Sequence, residues 1–316
     1  MIHLKSVSKK FGSLAALTNV SLDIAAGEIF GFIGPNGAGK STCMKILAGL
    51  LRADEGSASV CGLDVATRGP EVRALLGYMP DFLGVYEDLT VDEYLQFFAA
   101  AYRIPGRNGK RRATVDSVMA LTDLQAKRHA MVDSLSRGMQ QRLGVARVLL
   151  HDPRVLLLDE PASGLDPRAR IELRELLLEL RRMGKTIMVS SHILTELAEM
   201  STSIGIIERG VMLFAGSIEE AFIRAGAGER IAVEFEASDT APARAAEAAT
   251  VIAKDQRVAR TLVEHDQVIV ELVPGKHSHH FILESLVTNG FRIASFTPRP
   301  IKLEDAFLRL TKGALN

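Results

Sequence analysis

Residues 34–42 read GPNGAGKST, whose first six residues are too poor in side chains to contribute much packing. Glu28 to Ile33 (EIFGFI), just before it, is short, apolar and aromatic-containing, which predicts a buried strand. After it, Ser41 to Leu50 (STCMKILAGL) predicts a helix, with Met44, Leu47 and Leu51 at helical spacing and Gly49 near its end. Strand, glycine-rich turn and helix, with Gly34-x-x-x-x-Gly39-Lys40-Ser41 at the turn, match the P-loop in letters and in setting. Glycines there let successive backbone N–H groups point inward and form an anion cradle at a helix N-terminus. The candidate nucleotide-binding residues are therefore Gly34, Pro35, Asn36, Gly37, Ala38, Gly39, Lys40, Ser41 and Thr42. In this arrangement Lys40 reaches the β- and γ-phosphates of ATP and Ser41 ligates Mg²⁺.

Such a loop needs a carboxylate on a neighbouring strand to hold the metal. Arg154 to Asp159 (RVLLLD) supplies an apolar strand ending in Asp159, followed at once by Glu160. Asp159 is the candidate metal contact and Glu160 the candidate general base. Lys185 to Ser190 (KTIMVS) predicts another strand, and His192 sits just past its end, where open α/β sheets bind ligands. A lone histidine there is either structural or placed to touch the γ-phosphate. Phe11, between SKK and Gly12, either stacks on adenine or packs in the core.

The bulk numbers bound the rest. A chain of 316 residues favours two domains, and 47% hydrophobic content supports a large core. Lys+Arg and Asp+Glu are both 38, with no basic excess to suggest a nucleic-acid partner. Two cysteines, Cys43 and Cys61, read as reduced thiols in the cytosol. The first residues, MIHLKSVSKKFG, hold no apolar core of signal-peptide length, and no stretch approaches a bilayer span.

At Leu135 the chain reads LSRGMQQR and at Ser163 it reads SGLD. With the P-loop, LLLDEP and His192, these stand in the order and spacing of the ATP-binding subunit of an ABC transporter. The chain resembles that family over roughly Met1 to Phe222. More narrowly it resembles the single-domain ATPases of drug, sodium or polysaccharide exporters, whose tail IKLEDAFLRLT is similar to. The resemblance implies an α/β, RecA-like core with an antiparallel strand layer and a helical subdomain at about 82–150, all within a domain at 1–224. It also implies ATP hydrolysis by head-to-tail dimers, and a separate membrane permease subunit that carries a substrate outward from the cytoplasmic face. Ser136 is a good N-cap for a helix running through Val145 and Val148, whose positive end faces outward. In the family that end closes over the γ-phosphate held by the other chain, a role that falls by alignment on Ser136 and Gly138. Asp166, in SGLD, joins the nucleotide-binding set by the same alignment.

Two positions depart from the pattern. Arg137 and Met139 stand where the family's frequent LSGGQ has a glycine and the glutamine. Asp81, in GYMPDFLGVYEDLT, stands where the family has a glutamine that touches Mg²⁺ or the lytic water. Asp81 is kept as a candidate metal contact, expected to act through water or to serve coupling alone.

Thr90-Val-Asp-Glu93 predicts a capping box, with Leu89 and Tyr94 as a hydrophobic staple. Phe82, Leu83, Val85 and Tyr86 precede it and either form a socket for a helix of the permease or fold onto their own subdomain. Arg107 to Arg112 (RNGKRR) reads as a solvated connection. Phe222 to Glu229 marks a boundary, and residues 225–316 form a second, α+β domain for dimerisation or regulation. Its strands at Ile231–Phe235, Val258–Val263, Val268–Val273 and Phe291–Phe296, with helices at Pro242–Ala253 and Phe281–Val287, suggest a ferredoxin-like βαββαβ unit. A last helix is expected at Leu303 to Leu310. His277, His279 and His280 read as a solvated helix start rather than a metal site. Two rivals stay open: a soluble ABC ATPase acting on ribosomes or DNA, and a non-hydrolysing nucleotide switch.

Overall fold

The computed structural model describes residues 1–82, 84, 88–225, 229–236, 241–273, 275, 277–299 and 307. It divides into two compact units, Met1–Ser217 and Ile218–Asn316. The division falls where the last strand of the first unit completes its pairing, Ser217 opposite Ser203, and lies ahead of the Phe222–Glu229 segment.

The first unit opens with β1 (Ile2–Phe11), β2 (Leu14–Ile24) and β3 (Ile29–Ile33), then α1 (Lys40–Leu47), β4 (Glu55–Val60) and β5 (Leu63–Asp64). It continues with α2 (Gly69–Leu75), β6 (Leu76–Met79), α3 (Val91–Ala101), α4 (Lys110–Leu121) and α5 (Arg137–Leu149). Next come β7 (Val155–Asp159), α6 (Pro167–Arg182), β8 (Thr186–Ser191), α7 (Leu194–Ala198), β9 (Ser203–Glu208) and β10 (Val211–Ser217).

Two sheets result. One is antiparallel, in the order β2-β1-β4-β5, and turns Ile2, Leu4, Val20 and Leu22 inward to pack with Met44 and Leu47 of α1. The other runs β10-β9-β3-β8-β7-β6, with parallel pairing throughout except for β10 at one edge. Every residue of β3, β7 and β8 is buried, in keeping with the apolar stretches IFGFI, VLLL and IMV within them. Parallel order places the carboxyl ends of β3, β8 and β7 side by side, and the P-loop, His192 and the Asp159–Glu160 pair stand at those ends.

The helices between β6 and β7 pack on one another. At α3 the Thr90 hydroxyl accepts from Glu93 N, and the Glu93 carboxylate accepts in return from Thr90 N, so the capping box is formed. Tyr94 is fully buried. Phe82 is 83% exposed, whereas Leu83, Val85 and Tyr86 lie outside the described residues.

The second unit holds α8 (Ile218–Arg224), β11 (Arg230–Phe235), α9 (Ala241–Ile252), β12 (Val258–Glu264), β13 (Gln267–Leu272), α10 (His280–Thr288) and β14 (Ile293–Arg299). Its strands form an antiparallel sheet ordered β12-β13-β11-β14. In α9, Ala245, Ala248, Ala249 and Ile252 repeat at helical spacing and share one core with Ile231, Val233 and Phe235. The final strand begins at Ile293, later than the expected Phe291. Phe291 is taken by the helix before it: its N–H bonds to Leu286 O at 3.0 Å, and its ring packs 5.8 Å from Phe235. His279 pairs with Glu229, and His277 Nε2 is buried, so only His280 of the three is openly solvated. Apart from Phe307, the tail helix expected at Leu303 to Leu310 lies outside the described residues.

Candidate active site

The turn between β3 and α1 leaves no room for a side chain at two of its glycines. A Cβ on Gly34 would stand 2.4 Å from the Ile207 carbonyl oxygen, and one on Gly39 would stand 2.7 Å from Ala16 O. Gly39 also adopts φ 109°, in the region where a side chain strains the backbone. It is the N-cap of α1 and offers no capping side chain, so the positive end of that helix stays available to an anion.

Lys40 is 6% exposed and folds back over the loop. Its Nζ donates to Gly34 O at 2.6 Å and Pro35 O at 3.2 Å, and lies 3.1 Å from Glu160 Oε1. That last contact pairs opposite charges without the alignment of a hydrogen bond.

Asp159 ends β7 and is 2% exposed. Glu160 follows in a left-handed conformation, φ 49°, costly for a residue with a side chain. One hydroxyl ties the two acids: Ser190 Oγ donates to Asp159 Oδ1 at 2.6 Å and accepts from Glu160 N at 2.9 Å. His192 Nδ1 lies 2.8 Å from Glu160 Oε2, while its ring stays 45% exposed. The Glu160 carboxylate is thus held between an ammonium and an imidazole.

Asp81 follows β6 on the same side. Partial burial first, then the negative charges of Asp159 and Glu160, push its carboxyl above the usual carboxylate range, while Arg137 and His192 draw it down. Tyr78, in β6, buries its hydroxyl without a hydrogen-bond partner among the described residues. Burial, and then Asp159 and Asp81, push its phenol up to about 12.

An open cleft of ≈ 640 Å³ runs over the loop from Pro35 to Thr42 and is lined also by Asp81, Glu160, Phe11 and Arg209. Phe11 is 49% exposed, with Lys9 Nζ 5.6 Å from its ring centroid, so it is not a core residue. Ser136, Gly138 and Asp166 do not line this cleft. Ser136 Oγ accepts from Met139 N at 3.3 Å to cap α5, and Asp166 Oδ1 accepts from Ala169 N at 3.0 Å to cap α6. Sequence reasoning missed Ser190, Tyr78 and Arg209. A serine inside an apolar strand that ends beside His192 was the available signal for the first.

Residues 17–163 match the model of the family described as ABC transporter. An uncharacterized ABC transporter ATP-binding protein of Bacillus subtilis, YhcH, is 32% identical over 312 residues, covering 98% of this chain and 96% of the relative. The chain belongs to the ATP-binding proteins of ABC transporters. Another member, the Nod factor export ATP-binding protein I of Burkholderia lata, is 34% identical over 314 residues, covering 98% of this chain and 96% of its own. Among solved structures, a dimeric ATP-binding cassette in a post-hydrolysis state, bound to ADP and Pi, superposes with TM-score 0.62 at 28% identity. It covers 69% of this chain and 98% of the cassette. As a member of this family the chain is an ATPase with a P-loop α/β fold. Among its described residues no helix is long and apolar enough to cross a membrane.

Proposed function

We propose that this ABC ATPase powers export through a separate membrane permease, docked on the cytoplasmic face as part of a dimer with ATP between the chains. The observation that carries the reading is the Glu160 carboxylate, set between Lys40 and His192 at the mouth of the P-loop cleft. A base in that position orients a water toward the γ-phosphate, Lys40 and the loop amides hold the transferred group, and His192 sets the carboxylate's direction. Ser136 and Gly138 lie outside the cleft of their own chain, as they must if they serve the other chain's nucleotide. Asp166, at the cap of α6, serves the same interface. Export is supported by the Nod factor export protein's similarity along nearly the whole chain. Residues 225–316 would stabilise the dimer or regulate hydrolysis.

The donors fit Mg²⁺. Mg²⁺ is characteristically held by one or two carboxylates with substrate phosphates, and the buried Asp159 carboxylate ends β7 while Ser41 lines the P-loop cleft. Ser41 and Asp159 would hold it, and it would supply positive charge to the phosphate oxygens. Partial burial first, and then the charges of Asp159 and Glu160, push the Asp81 carboxyl up, which disfavours it as a further metal ligand, so Asp81 would serve coupling to the permease.

Phosphate release by the purified chain, set beside a Glu160→Gln variant with MgATP, tests the reading. The variant should retain ATP, stall and accumulate as a dimer, and the parent should co-purify with a permease from detergent-solubilised membranes. Turnover by Glu160→Gln at the parental rate would remove Glu160 as base; a parent that binds no MgATP would end the proposal.

A further inference from the structure

Arg137 occupies the first turn of α5, directly after the Ser136 cap. A Cβ built on Gly164 would lie 2.5 Å from Arg137 Cζ, 2.6 Å from Nη1 and 2.8 Å from Nε. Three nearly equal distances mean that Gly164 sits over the flat face of the guanidinium, not at its edge. Gly164 has φ 69° and lies in the middle of the loop from Ser163 to Asp166. The loop's far end is tied down by the Asp166 cap on Ala169 N.

The same seam continues along the two helices. A Cβ on Gly138 would stand 2.9 Å from Ala169 Cβ, so α5 and the start of α6 touch with no space for a side chain at that point. One turn further, Arg142 pairs with Glu172. Arg137 is therefore the outermost contact of a continuous junction, and the only one of the three that reaches the loop. A glycine at position 137, as in the family's frequent form, has nothing with which to make this contact. A planar, delocalised cation can lie on a bare Cα; an ammonium on a flexible stem cannot.

We propose that Arg137 is a positioning residue, its guanidinium lying on Gly164 to hold the Ser136-capped end of α5 against the Ser163–Asp166 loop in the orientation that closes over the partner chain's nucleotide. This rests on the dimer reading above. Both ends of the junction face that interface in the reading, so a loosened loop and a tilted helix would weaken closure without touching the P-loop of the same chain.

The test is a double-mutant cycle in the Glu160→Gln background, following MgATP-dependent dimerisation by sedimentation and single-chain nucleotide affinity with a fluorescent ATP analogue. Arg137→Lys keeps the charge and the helix propensity but loses the flat face. It should weaken dimerisation about fivefold and leave nucleotide affinity and Tm unchanged. Gly164→Ala should weaken dimerisation in the arginine background and add much less on top of Arg137→Lys. The strain of alanine at a positive φ is present in both arms and cancels. Dimerisation of Arg137→Lys at the level of its Glu160→Gln parent, or an equal effect of Gly164→Ala in both backgrounds, overturns the inference. Failure of that parent itself to dimerise removes the dimer reading, and this inference with it.

Discussion

Lys40 Nζ lies 3.1 Å from Glu160 Oε1, so the candidate phosphate-binding lysine and the candidate base neutralise one another across the P-loop. The side chains are 6% and 12% exposed, and that carboxylate oxygen accepts no aligned hydrogen bond among the described residues. Its compensation is therefore the charge of Lys40. A triphosphate entering the loop must draw Lys40 to its own oxygens, leaving Glu160 to His192 and to water.

Lys40→Met should accordingly do two things. It should lower ATP affinity about ten- to hundredfold, and it should destabilise the protein by about 1–3 kcal/mol through the stranded carboxylate. Chemical denaturation without nucleotide measures the second effect separately. Adding Glu160→Gln should recover much of that stability, because the buried negative charge is gone. No recovery in the double variant would mean that the pair is not what Lys40 contributes to the fold.

Ser190 is fully buried and serves two acids with one oxygen. Ser190→Ala leaves Asp159 Oδ1 and Glu160 N without that partner, at about 1–3 kcal/mol of stability. Because Glu160 holds a strained φ of 49°, loss of this anchor should also reduce kcat, with KM for ATP much less affected. Steady-state kinetics on a variant with a normal circular-dichroism spectrum checks this, and an unchanged kcat would count against it.

Tyr78 presents the opposite case, a buried hydroxyl with no hydrogen-bond partner among the described residues. Removing such a group spares its desolvation cost, so Tyr78→Phe should raise stability by up to about 1 kcal/mol or leave it unchanged. With its phenol pushed up to about 12, Tyr78 stays protonated at any working pH, and the substitution should not alter the pH profile of hydrolysis. A loss of more than about 2 kcal/mol would show that the hydroxyl is bonded after all.

Cys43 sits on the buried face of α1, and burial pushes its thiol up to about 12. At pH 8 almost none is thiolate, the form that reacts with alkylating agents. Alkylation followed by mass spectrometry should label Cys61, which is partly exposed, and spare Cys43 until denaturant is added. Equal labelling of both in the folded protein would contradict the packing of α1.

Much of the site was legible because its signals are local. The P-loop turn and the caps at Thr90 and Ser136 each involve residues within a few positions of one another, and each forms as the side-chain pattern requires. The apolar stretches of β3, β7 and β8 announced strands for the same reason. The alternation and helical spacing of residues 230–299 likewise found the elements there, but α8 was not foreseen, and at Phe291 tertiary packing drew a strand-like residue into a helix terminus.

Composition, motif order and backbone period were thus written along the chain, since each depends on near neighbours and on whether a face meets water. Contacts between distant residues were not. Ser190 reaches Asp159 because β7 and β8 pair in the register that sets those two residues opposite each other, and a slip of one residue would turn the hydroxyl away. The Arg137 guanidinium meets Gly164 only because α5 and α6 pack together at their first turns. Register and helix packing are settled by the whole core at once, so no window of sequence holds them.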